Sequence, residues 1–118
     1  MQIRSLVWMG VRTGQFQQMV AFYRDVLSLE MLKDEPNAAW FRLADGAEVH
    51  VYGPGDEDHD FFGPGPVVGL LVDDFGVVRE RMLAAGIAFI GDVQQADGST
   101  WNHFQGPDGN VYEIMQRE

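Results

Sequence analysis

The chain is written twice, and that limits its fold more than any single residue does. Shift the first half by 59 positions and Phe16 falls on Phe75, Met19 on Val78 and Tyr23 on Met82. Shift it by 63 and Phe41 falls on Phe104, Asp45-Gly46 on Asp108-Gly109, and His50 on Glu113. The extra residues sit in the loop after the helix. A fold for this sequence must therefore hold two copies of one unit.

Each copy carries the same signals in the same order. An apolar run opens it, Leu6–Val11 or Val67–Val72. A helical pattern follows. Phe16, Met19, Val20, Tyr23 and Leu27 share one face in the first copy, and Phe75, Val78, Met82 and Ala85 in the second. Asp73 or Asp74 suits the N-cap of the second helix, and Gly86 suits its stop. Three strand-like runs complete each copy: Glu30–Lys33, Ala39–Leu43 and Glu48–Tyr52, then Ala88–Ile90, Thr100–Phe104 and Val111–Gln116. "ADGAE" and "GPDGN" supply Asp-Gly turns between the later strands. The pattern predicts one domain over 1–118, with module one at 1–52, a Gly- and Pro-rich linker at 53–66 and module two at 67–118.

Composition narrows the function. Eight basic against 18 acidic residues give a net charge of −10, with no basic stripe. Nucleic acid and anionic membranes are repelled by such a field. No apolar run approaches the roughly 18 residues of a membrane span, and the start "MQIRSLVWMG" has no long apolar core of a secretory leader. Cysteine is absent, which removes disulfides, thiolate catalysis and cysteine-held zinc. A cytoplasmic protein is expected. "DEDHD" at 56–60 is not an EF-hand loop, because Phe61 and Val67 stand where Gly and Glu are required. The Gly-Pro runs lack the Gly-Lys-Ser/Thr of a phosphate loop.

Three stretches, "AFYRDVLSLE" (21–30), "VDDFGVVRERMLAAGI" (72–87) and "GPDGNVYEI" (106–114), set in two strand–helix–three-strand modules, resemble the vicinal oxygen chelate superfamily. That superfamily includes glyoxalase I, bleomycin-resistance proteins, fosfomycin-resistance proteins and extradiol dioxygenases. The resemblance covers nearly the whole chain. It implies an α+β fold of two βαβββ modules forming a curled mixed sheet around a cleft, usually in a homodimer. In metal-using members it implies one ligand from the first strand and one from the last strand of each module. Carried over, those positions are Trp8, His50, Val67 and Glu113.

Trp8 and Val67 offer no donor atom for a metal. Catalytic sites usually have three or more protein ligands, and here two remain. No cofactor is therefore expected, and a divalent metal is disfavoured; if one binds, His50 and Glu113 hold it. The resemblance then implies a small-molecule-binding protein like the bleomycin-resistance group. The alternative is an enzyme of the same superfamily, of lyase, isomerase or dioxygenase type. It would use His50 and Glu113 with a recruited metal, or as a metal-free acid and base.

Alternation in the strands sharpens the candidate site. Glu113 should face away from Tyr112 and Ile114 and line the inside of the curled sheet; the competing reading is a solvated carboxylate on an open face. His50 should share the face of Glu48. His103 pairs with Trp101 on one face, and Asn102 with Phe104 on the other, so His103 is a third polar candidate. Trp8 either stacks on a ligand or packs a core, and Tyr52 and Trp40 could join the same pocket. The expected ligand-binding set is thus His50, Glu113, Trp8, His103, Trp101 and Tyr52, with His50 and Glu113 projecting into one cleft. Phe61-Phe62, in an otherwise polar linker, is read as a lid, a dimer contact or a core anchor.

Overall fold

The computed structural model describes residues 2–62 and 65–118. Gly63 and Pro64, inside the expected linker, lie outside the described residues, as does Met1. The chain divides into two compact units, Trp8–Pro66 and Met1–Val7 with Val67–Glu118.

The N-terminal unit takes β1 (Ile3–Arg12) from Trp8 onward, then α1 (Phe16–Ala21), β2 (Glu30–Glu35), β3 (Ala38–Arg42) and β4 (Glu48–Tyr52). Its strands run in the order β2-β3-β4-β1, with β1 parallel to β4 and the other pairs antiparallel. Alternation decides the faces. Ala39 and Phe41 of β3, with Val49 and Val51 of β4, bury against Phe16, Val20 and Tyr23. Phe41 and Val51 have no exposed surface, and each such side chain contributes about 1.5–3 kcal/mol at most. The intervening residues, Trp40, His50 and Tyr52, point to the opposite face.

α1 departs from the expected helix. It continues as a π-helical turn over Phe22–Val26, with the Leu27 amide donating to the Phe22 carbonyl. The wider turn breaks the 3.6-residue period. Leu27, expected on the core face, is accordingly exposed, and Leu29 packs on the core instead. Ser28 leaves the helix in the left-handed region, at φ 56°.

The C-terminal unit holds β5 (Val67–Val72), α2 (Phe75–Ala84), β6 (Ala88–Ala96), β7 (Ser99–Gln105) and β8 (Val111–Arg117). Its strand order, β5-β8-β7-β6, repeats that of the other unit read from its first strand, and β5 is parallel to β8. Asp74 caps α2, its Oδ1 accepting from the Val77 amide at 3.1 Å, an arrangement that stabilises a helix by about 1 kcal/mol. Gly86 ends α2 at φ 84°, as its position predicts. Val72, Phe75, Val78, Phe104 and Ile114 form the core. Ala85, expected on the core face, is exposed at the C-cap.

Strand register establishes the repeat. Gly10 and Trp40 both stand opposite His50. Gly69 and His103 both stand opposite Glu113. Gly10 and Gly69 differ by the 59-residue shift, and the other two pairs by 63. β6 runs longer than expected, to a turn at Asp97-Gly98 with both residues at positive φ. The expected run, Ala88–Ile90, stops where the apolar residues give way to the polar stretch that follows. No helix among the described residues is long and apolar enough to cross a membrane.

Candidate functional site

The six expected residues fall into two groups, one in each unit. Trp8, His50 and Tyr52 meet in the N-terminal unit, within a cluster of rings. His50 is only 8% exposed. Trp40 stacks on it with centroids 4.3 Å apart and planes 5° from parallel. Trp8 meets it edge-on at 5.4 Å. Trp8 can reach that far because Gly10 carries no side chain: a Cβ there would collide with the end of the Trp8 indole and come within 3.0 Å of Phe62.

Both ring nitrogens of His50 are engaged. Nε2 lies 2.8 Å from Glu48 Oε1, and Nδ1 lies 2.8 Å from the Tyr52 hydroxyl. Burial pushes the imidazole down to about 4, and the Glu48 carboxylate only partly opposes the shift. At neutral pH the ring is therefore uncharged, and the Glu48 contact is a hydrogen bond rather than an ion pair. A carboxylate can only accept, so Nε2 carries the proton and donates to Glu48. Nδ1 then accepts from Tyr52.

The segment after β4 closes over this cluster. His59 stacks on Tyr52 at 3.8 Å, and its Nδ1 lies 2.9 Å from Asp56 Oδ2. Arg12 donates to the carbonyls of Asp56, at 2.7 Å, and Pro54, at 3.2 Å. Phe62 is 6% exposed and packs against Trp8, Tyr52, His59 and Phe61. Of the three readings of Phe61-Phe62, Phe62 takes that of core anchor.

In the C-terminal unit, Glu113 faces away from Ile114 and Tyr112, which pack on the α2 side, as alternation predicts. Its side chain is 4% exposed, so the solvated-carboxylate reading fails. His103 stands directly opposite on β7, with Nε2 3.1 Å from Glu113 Oε2. The other carboxylate oxygen, Oε1, is buried and has no hydrogen-bond partner among the described residues. Trp101 lies on the same face of β7, opposite Met115 of β8 and Gln94 of β6.

Four residues near these groups were not among the expected site residues. Glu48 and His59 orient the rings, and Arg79 and Asn102 lie behind His103. The stripe Glu48-His50-Tyr52 at period two was a usable signal for Glu48. Alternation, which sets Asn102 on the face of Phe104, was the signal for its burial.

The residues do not fit the four-position metal set implied by the resemblance. Trp8 and Val67 have no donor, and His50 has both nitrogens committed. No three His, Cys, Asp or Glu side chains among the described residues are grouped to hold an ion.

Comparison with known proteins agrees with this architecture. Among solved structures, the chain is similar to the Mn(II)-bound glyoxalase from Novosphingobium aromaticivorans, with a TM-score of 0.78 and 22% identity; 98% of this chain matches 39% of that one. It is similar to methylmalonyl-CoA epimerase from Mycobacterium tuberculosis, with a TM-score of 0.73, 18% identity, and 98% and 89% of the two chains covered. A glyoxalase/bleomycin resistance protein/dioxygenase superfamily member from Vibrio splendidus 12B01 gives a TM-score of 0.69 at 21% identity, with 98% and 99% covered. At such identities the likeness speaks for the fold alone. A search of curated protein sequences finds no match. The sequence profile of the Glyoxalase/Bleomycin resistance protein/Dioxygenase superfamily matches residues 5–114. This chain, an α+β protein of two βαβββ units, belongs to that superfamily.

Proposed function

We propose that the protein binds a small molecule at Glu113 and His103, without a resident transition metal. One observation carries the reading: Oε1 of Glu113 is buried with no hydrogen-bond partner among the described residues. A buried acceptor left unpaired costs about 1–3 kcal/mol, and more when charged. A ligand that brings an N–H or O–H donor to Oε1 recovers that cost. Trp101, on the same face, offers a ring for the apolar part of the ligand. His50 has no nitrogen to spare, so it supports its neighbours rather than meeting the ligand with a ring nitrogen.

A second reading, a metal-free acid–base enzyme, is favoured by the 3.1 Å approach of His103 to Glu113. A histidine and a carboxylate in contact can exchange a proton with a bound substrate.

The test is a fragment screen followed by amide and side-chain NMR. Fragments carrying amine, amide or hydroxyl donors should shift Glu113, His103 and Trp101. Glu113→Gln should keep the fold and weaken those fragments. If no donor fragment touches the three residues, or if Glu113→Gln binds them unchanged, the reading is wrong.

A further inference from the structure

Behind the candidate site, the C-terminal unit sets a buried asparagine against a half-buried arginine, and ligand binding uses neither. Asn102 has no exposed surface, and it sits on the α2 side of β7. Arg79 of α2 donates through Nε to Asn102 Oδ1 at 3.0 Å, and its guanidinium lies 4.7 Å from the centre of the Phe89 ring. Burying an amide in place of an apolar side chain brings no gain unless its hydrogen bonds are made, so the position of Asn102 needs another reason.

The strand register supplies one. Ile90 stands opposite His103, and Gln94 stands opposite Trp101. Between these pairs β6 has three residues, Gly91, Asp92 and Val93, while β7 has one, Asn102. The Nδ2 group of Asn102 lies 3.4, 3.4 and 3.5 Å from the carbonyl oxygens of Ile90, Gly91 and Asp92, and its two N–H groups are shared with the His103 carbonyl at 3.5 Å. Gly91 has φ 71°, a conformation that glycine adopts without strain. In a regular ladder, period-two pairing would set Asp92 opposite Trp101. The bulge sets Gln94 there instead.

We propose that Asn102, held by Arg79, is a positioning residue for the Glu113–His103 site. Its amide binds the carbonyls of the bulge and holds the two extra residues out of the ladder. The neutral side chain of Gln94, not the carboxylate of Asp92, then stands beside Trp101 on the face that carries Glu113. A second carboxylate on that face would repel the first and compete for the donor group of the ligand. Bulges next to functional sites re-aim side chains in this way. The inference rests on the reading of Glu113 and His103 as the ligand site.

The experiment compares three proteins by NMR: the natural chain, the double variant Arg79→Met with Asn102→Leu, and Asn102→Asp. The double variant removes the donors to the bulge without leaving either side chain of the pair as an unpaired polar group. Asn102→Asp keeps an oxygen for Arg79 but loses the N–H donors to the bulge, so it serves if the double variant does not fold. In the natural chain, Gln94 side-chain protons should show cross-relaxation with the Trp101 indole. In the variants that signal should vanish, and Asp92 should approach Trp101. Donor fragments found with the natural chain should bind about tenfold more weakly or worse. Persistence of the Gln94–Trp101 signal overturns the proposal, as does a changed register with unchanged fragment binding. If Glu113→Gln alone leaves binding unaltered, it is the site reading that fails, and the register measurement still decides what Asn102 does.

Discussion

The neutral, buried state of His50 makes stability depend on pH in a defined window. Its folded value is about 4, against 6.5 for an ordinary histidine. Between those values the unfolded chain binds a proton that the folded chain refuses. Stability therefore rises with pH in this window; the contribution is complete above about 6.5 and is lost as pH falls toward about 4. From about pH 7 to about pH 5, the difference between the two proton-binding curves comes to about 2 kcal/mol, before most carboxylates begin to titrate. The assay is urea unfolding at both pH values, on the natural chain and on His50→Gln. Glutamine can donate to Glu48 and accept from Tyr52, and it does not titrate in this range. The natural chain should lose about 2 kcal/mol more than the variant on going to the lower pH. The rest of the chain is identical in the two proteins, so the difference isolates the side chain at position 50. Equal losses, or a His50 midpoint by NMR at or above 6.5, would refute the argument that burial outweighs the Glu48 contact.

Gly10→Ala should destabilise the chain by about 1–3 kcal/mol, because the new Cβ drives the Trp8 indole off its place beside His50; denaturant unfolding and near-ultraviolet circular dichroism report both effects, and an unchanged aromatic signal would count against it. Protein purified without chelators should carry no stoichiometric transition metal by elemental analysis; near-equimolar zinc, iron, nickel or manganese held at His50 and Glu113 would overturn that expectation. The chain should form a homodimer at micromolar concentration, since its sheet edges invite pairing; a monomer mass in light scattering at high concentration would contradict it.

Much of the architecture was legible because it was written twice. Element order, a cap at Asp73 or Asp74 (the structure uses Asp74), the Gly86 stop and the Asp-Gly turns follow from local chemistry that tertiary contacts did not override. Alternation correctly placed Glu113 away from Ile114, and His103 away from Phe104. Three features were hidden. The π-turn that exposes Leu27 depends on backbone geometry that helical periodicity does not encode. The length of β6 was concealed by polar residues, because this strand is largely exposed and needs no apolar signal. Alternation put Asn102 on the face of Phe104, but its partners, Arg79 and the β6 carbonyls, were invisible because they are remote in sequence. The pairing of His103 with Glu113 follows from strand register, whereas attention to metal-ligand positions singled out His50.

The space above Gly10 has a consequence of its own. Trp8 occupies it from two residues away, as a ligand tethered by the shortest of linkers. Such an occupant has an effective concentration of millimolar or more, and it cannot diffuse away. A free molecule seeking the same place beside His50 must outcompete a neighbour that is always present. At the equivalent position of the repeat, Val67 precedes Gly69 by the same two residues, with a side chain too short to lie across it. Duplication thus left one copy with a built-in occupant, and the other with none supplied by that position.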